Sequence, residues 1–173
     1  AGFTGSMFTV NGGNLQMAGG SVTDSNGTAI GSGSLTVDGS GDGVTGSIVE
    51  VVSGNYGLTD DAVLTGNKTT GNAGAISNTA DGNVYLLGGT ITGNSATTGG
   101  AIYSEGAVSI RGTVSVTGNT VINSTPETAS NVVLDKNGII NVNGAVTGST
   151  IGLAVQEAAA GRTVVKLADG VTD

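Results

Sequence analysis

A four-residue segment, an aliphatic residue followed by Thr-Gly-Asn, occurs three times: LTGN at 64–67, ITGN at 91–94 and VTGN at 116–119. Its asparagines, Asn67, Asn94 and Asn119, therefore recur with a period of about 26 residues. Self-similarity at a period of roughly 20 to 50 residues is typical of solenoids, in which each repeat packs only against its neighbours. This segment therefore predicts a repetitive fold.

Two further markers recur with nearly the same period. Gly-Ala-Ile occurs at 74–76 and again, one period later, at 100–102. A pair of apolar residues separated by one residue occurs at 84–86, 108–110 and 132–134, at equal steps that are slightly shorter than the period. These markers give the expected core positions: Ile76, Ile102, Val84, Leu86, Val108, Ile110, Val132 and Leu134.

The residue pattern within each period is typical of short strands. Segments such as Val108-Ser109-Ile110 alternate apolar and polar residues, and clusters of Gly, Asn, Asp and Ser separate them. Parallel strands joined by crossovers wind right-handedly. We therefore expect an all-β fold, a right-handed single-stranded parallel β-helix of about six to seven coils. It should form one domain over residues 1–173, with residues 155–173 as a C-terminal cap.

The recurring asparagines and glycines have a role at the corners between strands. Asn tolerates the left-handed backbone of sharp turns, and stacked Asn side chains can bond along a ladder. We expect Asn67, Asn94 and Asn119 to stack at one corner. Gly74 and Gly100 should occupy corner positions that have no room for a side chain.

Composition excludes several classes of protein. A single proline beside 33 glycines excludes collagen, and abundant Val, Ile and Thr argue against disorder. The net charge of −8 disfavours binding to nucleic acid, and no stretch is apolar enough for membrane insertion. Because His and Cys are absent, the usual nucleophilic triads and zinc sites cannot form. We expect no enzymatic activity.

One acidic stretch has the spacing of a calcium loop. Asp38, Ser40 and Asp42 place oxygen ligands at alternate positions and a glycine follows them. The closing acid would fall at Val49, and Glu50 misses that place by one position. The alternative is a solvated, Gly-rich corner, which the missing acid favours. Apart from this calcium hypothesis, the sequence implies no cofactor.

Two other functions stay open. A carbohydrate-active β-helix, which binds or cleaves polysaccharide, would need the Asp60-Asp61 pair or the three tyrosines to converge in a groove. Ice binding would need a flat Thr-rich face, for which Thr90-Ile91-Thr92 is the best segment. Ser115-Val116-Thr117 and Ser21-Val22-Thr23 are weaker copies of it.

Several motifs resemble those of bacterial surface proteins. GGAI at 99–102 and its weaker copy AGAI at 73–76 resemble a motif of the polymorphic outer membrane protein repeats. The Phe-x-x-Asn motif of that family is intact at 8–11, whereas aliphatic residues replace its Phe at 64, 91 and 116. The segment at 88–95 is similar to repeats in large adhesin-like surface proteins of Gram-positive bacteria, and 131–153 resembles the segment that closes such arrays.

This resemblance implies a β-helix that is a fragment of a larger surface protein, with a structural or adhesive role at the extracellular surface of a bacterium. Its partners would be glycans or proteins of a host surface or matrix. A solenoid with uncovered ends would also associate end to end, because each open end exposes an unpaired strand edge.

Overall fold

The computed structural model describes residues 5–23, 26, 29–40, 45–122, 126, 128–157, 159–169 and 171. These residues form strands and turns and no helix, so none of them belongs to a helix that could span a membrane. The fold is all-β. Of the residues of the calcium hypothesis, Asp42 lies outside the described part of the chain.

Most of the strands are short, as the punctuated sequence predicts. In chain order they are β1 (Phe8–Ala18), β2 (Gly20–Thr23), β3 (Ala29–Gly33), β4 (Thr36–Asp38), β5 (Val49–Thr59), β6 (Val63–Thr65), β7 (Ile76–Asn78), β8 (Gly82–Leu86), β9 (Gly89–Thr92), β10 (Ser95–Ala96), β11 (Ile102–Ser104), β12 (Ala107–Ile110), β13 (Val114–Val116), β14 (Thr120–Val121), β15 (Thr128–Ala129), β16 (Val132–Leu134), β17 (Ile139–Val142), β18 (Thr150–Ile151), β19 (Leu153–Val155) and β20 (Val165–Leu167).

Parallel pairing between distant segments builds the two larger sheets. The first has the order β19-β16-β11-β7-β5-β8-β12-β17-β20, with β1 also on β5, and the second has the order β18-β13-β9-β6-β4. β10 and β14 form a short parallel pair. Two pairs depart from this pattern, since β2 with β3 and β14 with β15 are antiparallel. The described chain is therefore a parallel, solenoid-like stack with two local reversals.

The register of the parallel pairs repeats the sequence period through the middle of the chain. Ile76 pairs with Ile102, and Val84 pairs with Val108. In the second sheet, Ile91 pairs with Leu64 on one side and with Val116 on the other. Equivalent side chains are thus stacked on one another in columns.

One marker of the sequence is out of register. The equal steps of the apolar pairs placed Val132 above Val108, but Val132 pairs with Ile102, and Ile140 pairs with Val108. The segment that contains the antiparallel strand β15 lengthens this turn of the chain, so the next strand arrives later than the period predicts. The equal spacing therefore came from similar apolar alternation rather than from stacking.

Aliphatic columns fill the space between the sheets. All eight expected core positions are buried, and together with residues such as Ile48, Leu58 and Ile91 they belong to one hydrophobic cluster. Full burial of such side chains contributes about 1.5 to 3 kcal/mol each. At the C-terminal end of the columns, Leu153, Val165 and Leu167 are exposed, as is Phe8 at the N-terminal end. β20, within the expected cap, extends the first sheet by parallel pairing, as β19 does just before it.

Candidate functional site

The recurring asparagines form a buried stack that continues to a fourth member. We call Asn67, Asn94, Asn119 and Asn131 the asparagine ladder. The Oδ1 atom of each later member accepts a hydrogen bond from the backbone N–H of the one before, at 3.1, 3.0 and 3.2 Å. The amides of Asn94 and Asn119 also donate to the next Oδ1, at 3.0 and 2.9 Å.

The ladder satisfies backbone groups at a corner where the strand pairing stops. The Nδ2 atom of Asn94 donates to the carbonyl oxygens of Leu64 and Thr92, at 3.1 and 3.0 Å. Asn119 repeats this arrangement one turn of the chain later with Ile91 and Thr117, both at 3.0 Å. Buried backbone groups without a partner are costly, so these side chains hold the corner closed.

Two parts of this polar interior lie outside the repeated motif. Asn131 follows Asn119 by only 12 residues, since the chain reverses at β15 between them. Asn78 and Ser104 replace aliphatic residues in a core column, where the Nδ2 atom of Asn78 donates to the Ser104 hydroxyl at 2.9 Å. The period could have found Asn78 and Ser104, which lie one period apart, but polar residues in a predicted core are not an obvious signal.

The corner glycines occupy positions without room for a side chain. A Cβ atom on Gly74 would overlap the carbonyl oxygen of Gly100, and one on Gly100 would overlap backbone atoms of Thr120 and Ser130. These two glycines let successive turns of the chain approach one another closely.

The calcium hypothesis gains no support from the described residues. The Oδ1 atom of Asp38 accepts a hydrogen bond from the backbone N–H of Ser40 at 2.8 Å, which lowers the pKa of this carboxyl. That bond is typical of a turn. Among the described residues no group of three or more acidic side chains could hold a metal ion.

The second sheet carries hydroxyl side chains on its outer face. Thr90 and Ser115 are register neighbours on β9 and β13, and Thr65 lies beside Thr92. Val63 interrupts the first of these rows. Ser21-Val22-Thr23 belongs to the antiparallel hairpin of β2 and β3, so it is not part of this face.

The outer face of the first sheet contains a groove, which we call the Tyr85 groove. Connected depressions in this face share the side chain of Leu87. We define the groove by six lining residues: Gln16, Gly57, Tyr85, Leu87, Arg111 and Asn143. Each of them belongs to, or directly follows, one of the five neighbouring strands β1, β5, β8, β12 and β17, so the sheet register brings them together.

A missing side chain makes room beside the exposed ring of Tyr85. This residue is 36% exposed, and its register partner on β5 is Gly57. A Cβ atom on Gly57 would meet only the Cγ atom of Gln16, at 3.8 Å. The depression there has a volume of about 280 Å³ and is bordered by Asn14 and Asn55, whose side chains bond at 2.6 Å.

Polar groups line the side of the groove at the C-terminal ends of the strands. Arg111 and Asn143 lie along one side, and Asp60 lies near the corner after β5. The Oδ2 atom of Asp60 accepts a hydrogen bond from the Thr59 hydroxyl at 3.1 Å. The surface thus combines one aromatic ring with amides, a hydroxyl, a guanidinium and a carboxylate.

The three tyrosines do not form one platform. Tyr56 is fully buried in the core, where its hydroxyl donates to the Sδ atom of Met17 at 3.3 Å. Tyr103 lies on β11, which the turn at 105–106 separates from β12, and it does not line the groove. Only Tyr85 presents its ring there.

Comparisons of this chain with protein-family models, with curated proteins and with solved structures find no match.

Proposed function

We propose that this chain is a non-catalytic structural and adhesive element of an extracellular bacterial surface protein. It would be a right-handed single-stranded parallel β-helix of about six to seven coils, acting as a rigid spacer that carries a binding face. The observation that supports this proposal best is the continuity of the stacked columns and of the asparagine ladder between neighbouring turns of the chain.

Stiffness follows from how these columns are held. The inward residue of β9, Ile91, for example, lies in register between Leu64 on β6 and Val116 on β13, and the backbone pairs on both sides. Bending such a stack would separate packed aliphatic residues and break hydrogen bonds at the buried corner. A rod of this kind holds a binding face at a fixed distance from its anchor.

End-to-end association is part of the same proposal. The exposed strand β20 carries Val165 and Leu167 in line with the buried columns, and Phe8 is exposed at the opposite end. Unpaired strand edges with apolar side chains promote pairing with another chain. Contacts between unlike ends do not close on themselves, so they would produce filaments.

Rigidity can be tested by the distance between two spin labels. The chain has no cysteine, so the double variant Thr36→Cys, Thr150→Cys carries labels at these two positions alone. Thr36 and Thr150 are the outer ends of one register row that spans β4, β6, β9, β13 and β18. Four strand spacings separate their backbones by about 19 Å. A spacer gives a narrow distribution near this value, and a broad distribution would contradict the proposal.

A further inference from the structure

We propose that the Tyr85 groove binds a neutral carbohydrate chain. This inference rests on the proposed adhesive function and names the ligand class and the binding site.

The exposed aromatic ring of Tyr85 supports sugar binding. Alternate residues of β8 point into the core, as Val84 and Leu86 do, so Tyr85 points outward. An outward tyrosine on a sheet would normally be flanked by its cross-strand neighbours, but here one neighbour is Gly57. A flat, amphipathic ring beside an open depression suits a sugar ring, because the sugar stacks its C–H groups on the ring and directs its hydroxyls sideways.

The polar groups around the ring also support sugar binding. Binding sites for small molecules combine apolar surface with a few polar groups that fix the orientation of the ligand. Gln16 and Asn143 offer carboxamides, which can donate and accept, and Arg111 offers donors. Within the described residues, no hydrogen bond or salt bridge occupies the guanidinium of Arg111 or the side-chain carboxamide of Asn143, and only the backbone N–H groups of these two residues are bonded. These groups are therefore available to sugar hydroxyls.

The length of the groove indicates a chain rather than a single sugar. Gln16 lies on β1, and Asn143 directly follows β17. The sheet order places β5, β8 and β12 between these strands. Four strand spacings correspond to about 19 Å, so the groove runs across the strands for several sugar units.

Charge decides between neutral and acidic glycans. Arg111 is the one basic residue among the six that define the groove, and the acidic Asp60 lines the same depression as Arg111. The chain as a whole carries a net charge of −8, which repels polyanions. A neutral, hydroxyl-rich chain avoids this repulsion.

Affinity electrophoresis in native gels tests the proposal. The gels contain soluble xylan, galactomannan or mixed-linkage β-glucan, with polygalacturonate as the acidic arm. We expect at least one neutral polysaccharide to retard the wild-type chain. Tyr85→Thr, which removes the ring, and Gly57→Val, which fills the depression, should each weaken binding about tenfold or more.

Controls separate binding from folding. Gly57→Val has room for its Cβ atom, and β-branched residues suit strands, so circular dichroism and thermal melting should match the wild type. Tyr103→Thr removes a tyrosine outside the groove and should leave retardation unchanged.

Three outcomes would overturn the proposal: no retardation by any neutral polysaccharide, retardation by polygalacturonate alone, or retardation that survives both groove variants. A narrow spin-label distribution without glycan binding would refute this inference and leave the spacer proposal intact. A broad distribution would refute the spacer proposal itself.

Discussion

At the scale of single residues, buried amides satisfy backbone groups that strand pairing satisfies elsewhere. The side chain of Asn94 is completely buried and bonds to three backbone groups, among them the N–H of Asn67 and the carbonyl of Leu64. The spacing of the LTGN-type segments predicts this stack of Asn67, Asn94 and Asn119. The fourth member, Asn131, was not predictable from the period, because the chain reverses at β15 and returns to Asn119 after only 12 residues.

Replacement of Asn94 should be strongly destabilising. Asn94→Ala leaves the buried N–H of Asn67 and the carbonyl of Leu64 without these partners, and we expect a loss of about 3 kcal/mol in the free energy of unfolding. Urea denaturation measures this loss. The control is Asn83→Ala, on the outer side of β8, which should change stability by less than about 0.5 kcal/mol. Equal effects of the two variants would contradict a structural ladder.

The corner glycines allow a second comparison, between a glycine without room for a methyl group and one with room for it. In Gly100→Ala the added methyl overlaps backbone atoms of Thr120 and Ser130, so the turns must move apart at a cost of about 1 to 3 kcal/mol or more. Gly57→Ala adds the same methyl where space exists and should be neutral or slightly stabilising. Differential scanning calorimetry compares the two variants. A wild-type melting temperature for Gly100→Ala would contradict the close approach of successive turns at this corner.

The buried phenol of Tyr56 makes stability depend on alkaline pH. Burial raises the pKa of this hydroxyl well above its ordinary value of about 10. The unfolded chain therefore loses this proton at a lower pH than the folded chain. The stability that the protonated Tyr56 hydroxyl contributes is thus complete below about pH 10 and is lost as pH rises further. At pH 11 the wild type should have lost about 1.4 kcal/mol that Tyr56→Phe retains. Denaturation of both proteins at pH 8 and pH 11 tests this. If the two proteins differ in free energy of unfolding by the same amount at both pH values, the prediction is refuted.

At the scale of elements, alternation predicts short strands well and their partners less well. β7 and β11 begin at the Ile of the Gly-Ala-Ile markers, and β8 and β12 contain the paired-aliphatic markers. The reversed pairs, β2 with β3 and β14 with β15, could not be read from apolar alternation because it does not distinguish parallel from antiparallel pairing. The Tyr85 groove was also hidden, since it forms only when five strands from β1 to β17 are in register.

Protection of backbone amides against hydrogen exchange should differ between the middle and the C-terminal end of the stack. β9 pairs on both sides and carries the buried Ile91, whereas β20 pairs on one side and all its residues are exposed. Local opening is easier where few apolar contacts hold a strand. Hydrogen exchange should therefore be slow for the amides of β9 and β13 and fast for those of β20. Uniform protection along the chain would show that the end is covered.

At the scale of the whole molecule, the central claim is that residues one sequence period apart lie side by side in parallel strands. This arrangement explains the period, the columns and the buried asparagines together. It also explains why Val132 left its expected column, because a longer turn changes the register without removing the residue from the core.

Cross-strand nuclear Overhauser contacts test this claim most directly, in the native chain and without any substitution. We expect backbone contacts from Ile91 to both Leu64 and Val116, and from Val84 to both Tyr56 and Val108, in the pattern of parallel strands. Contacts confined to near neighbours in the sequence, or an antiparallel pattern between these pairs, would contradict the account.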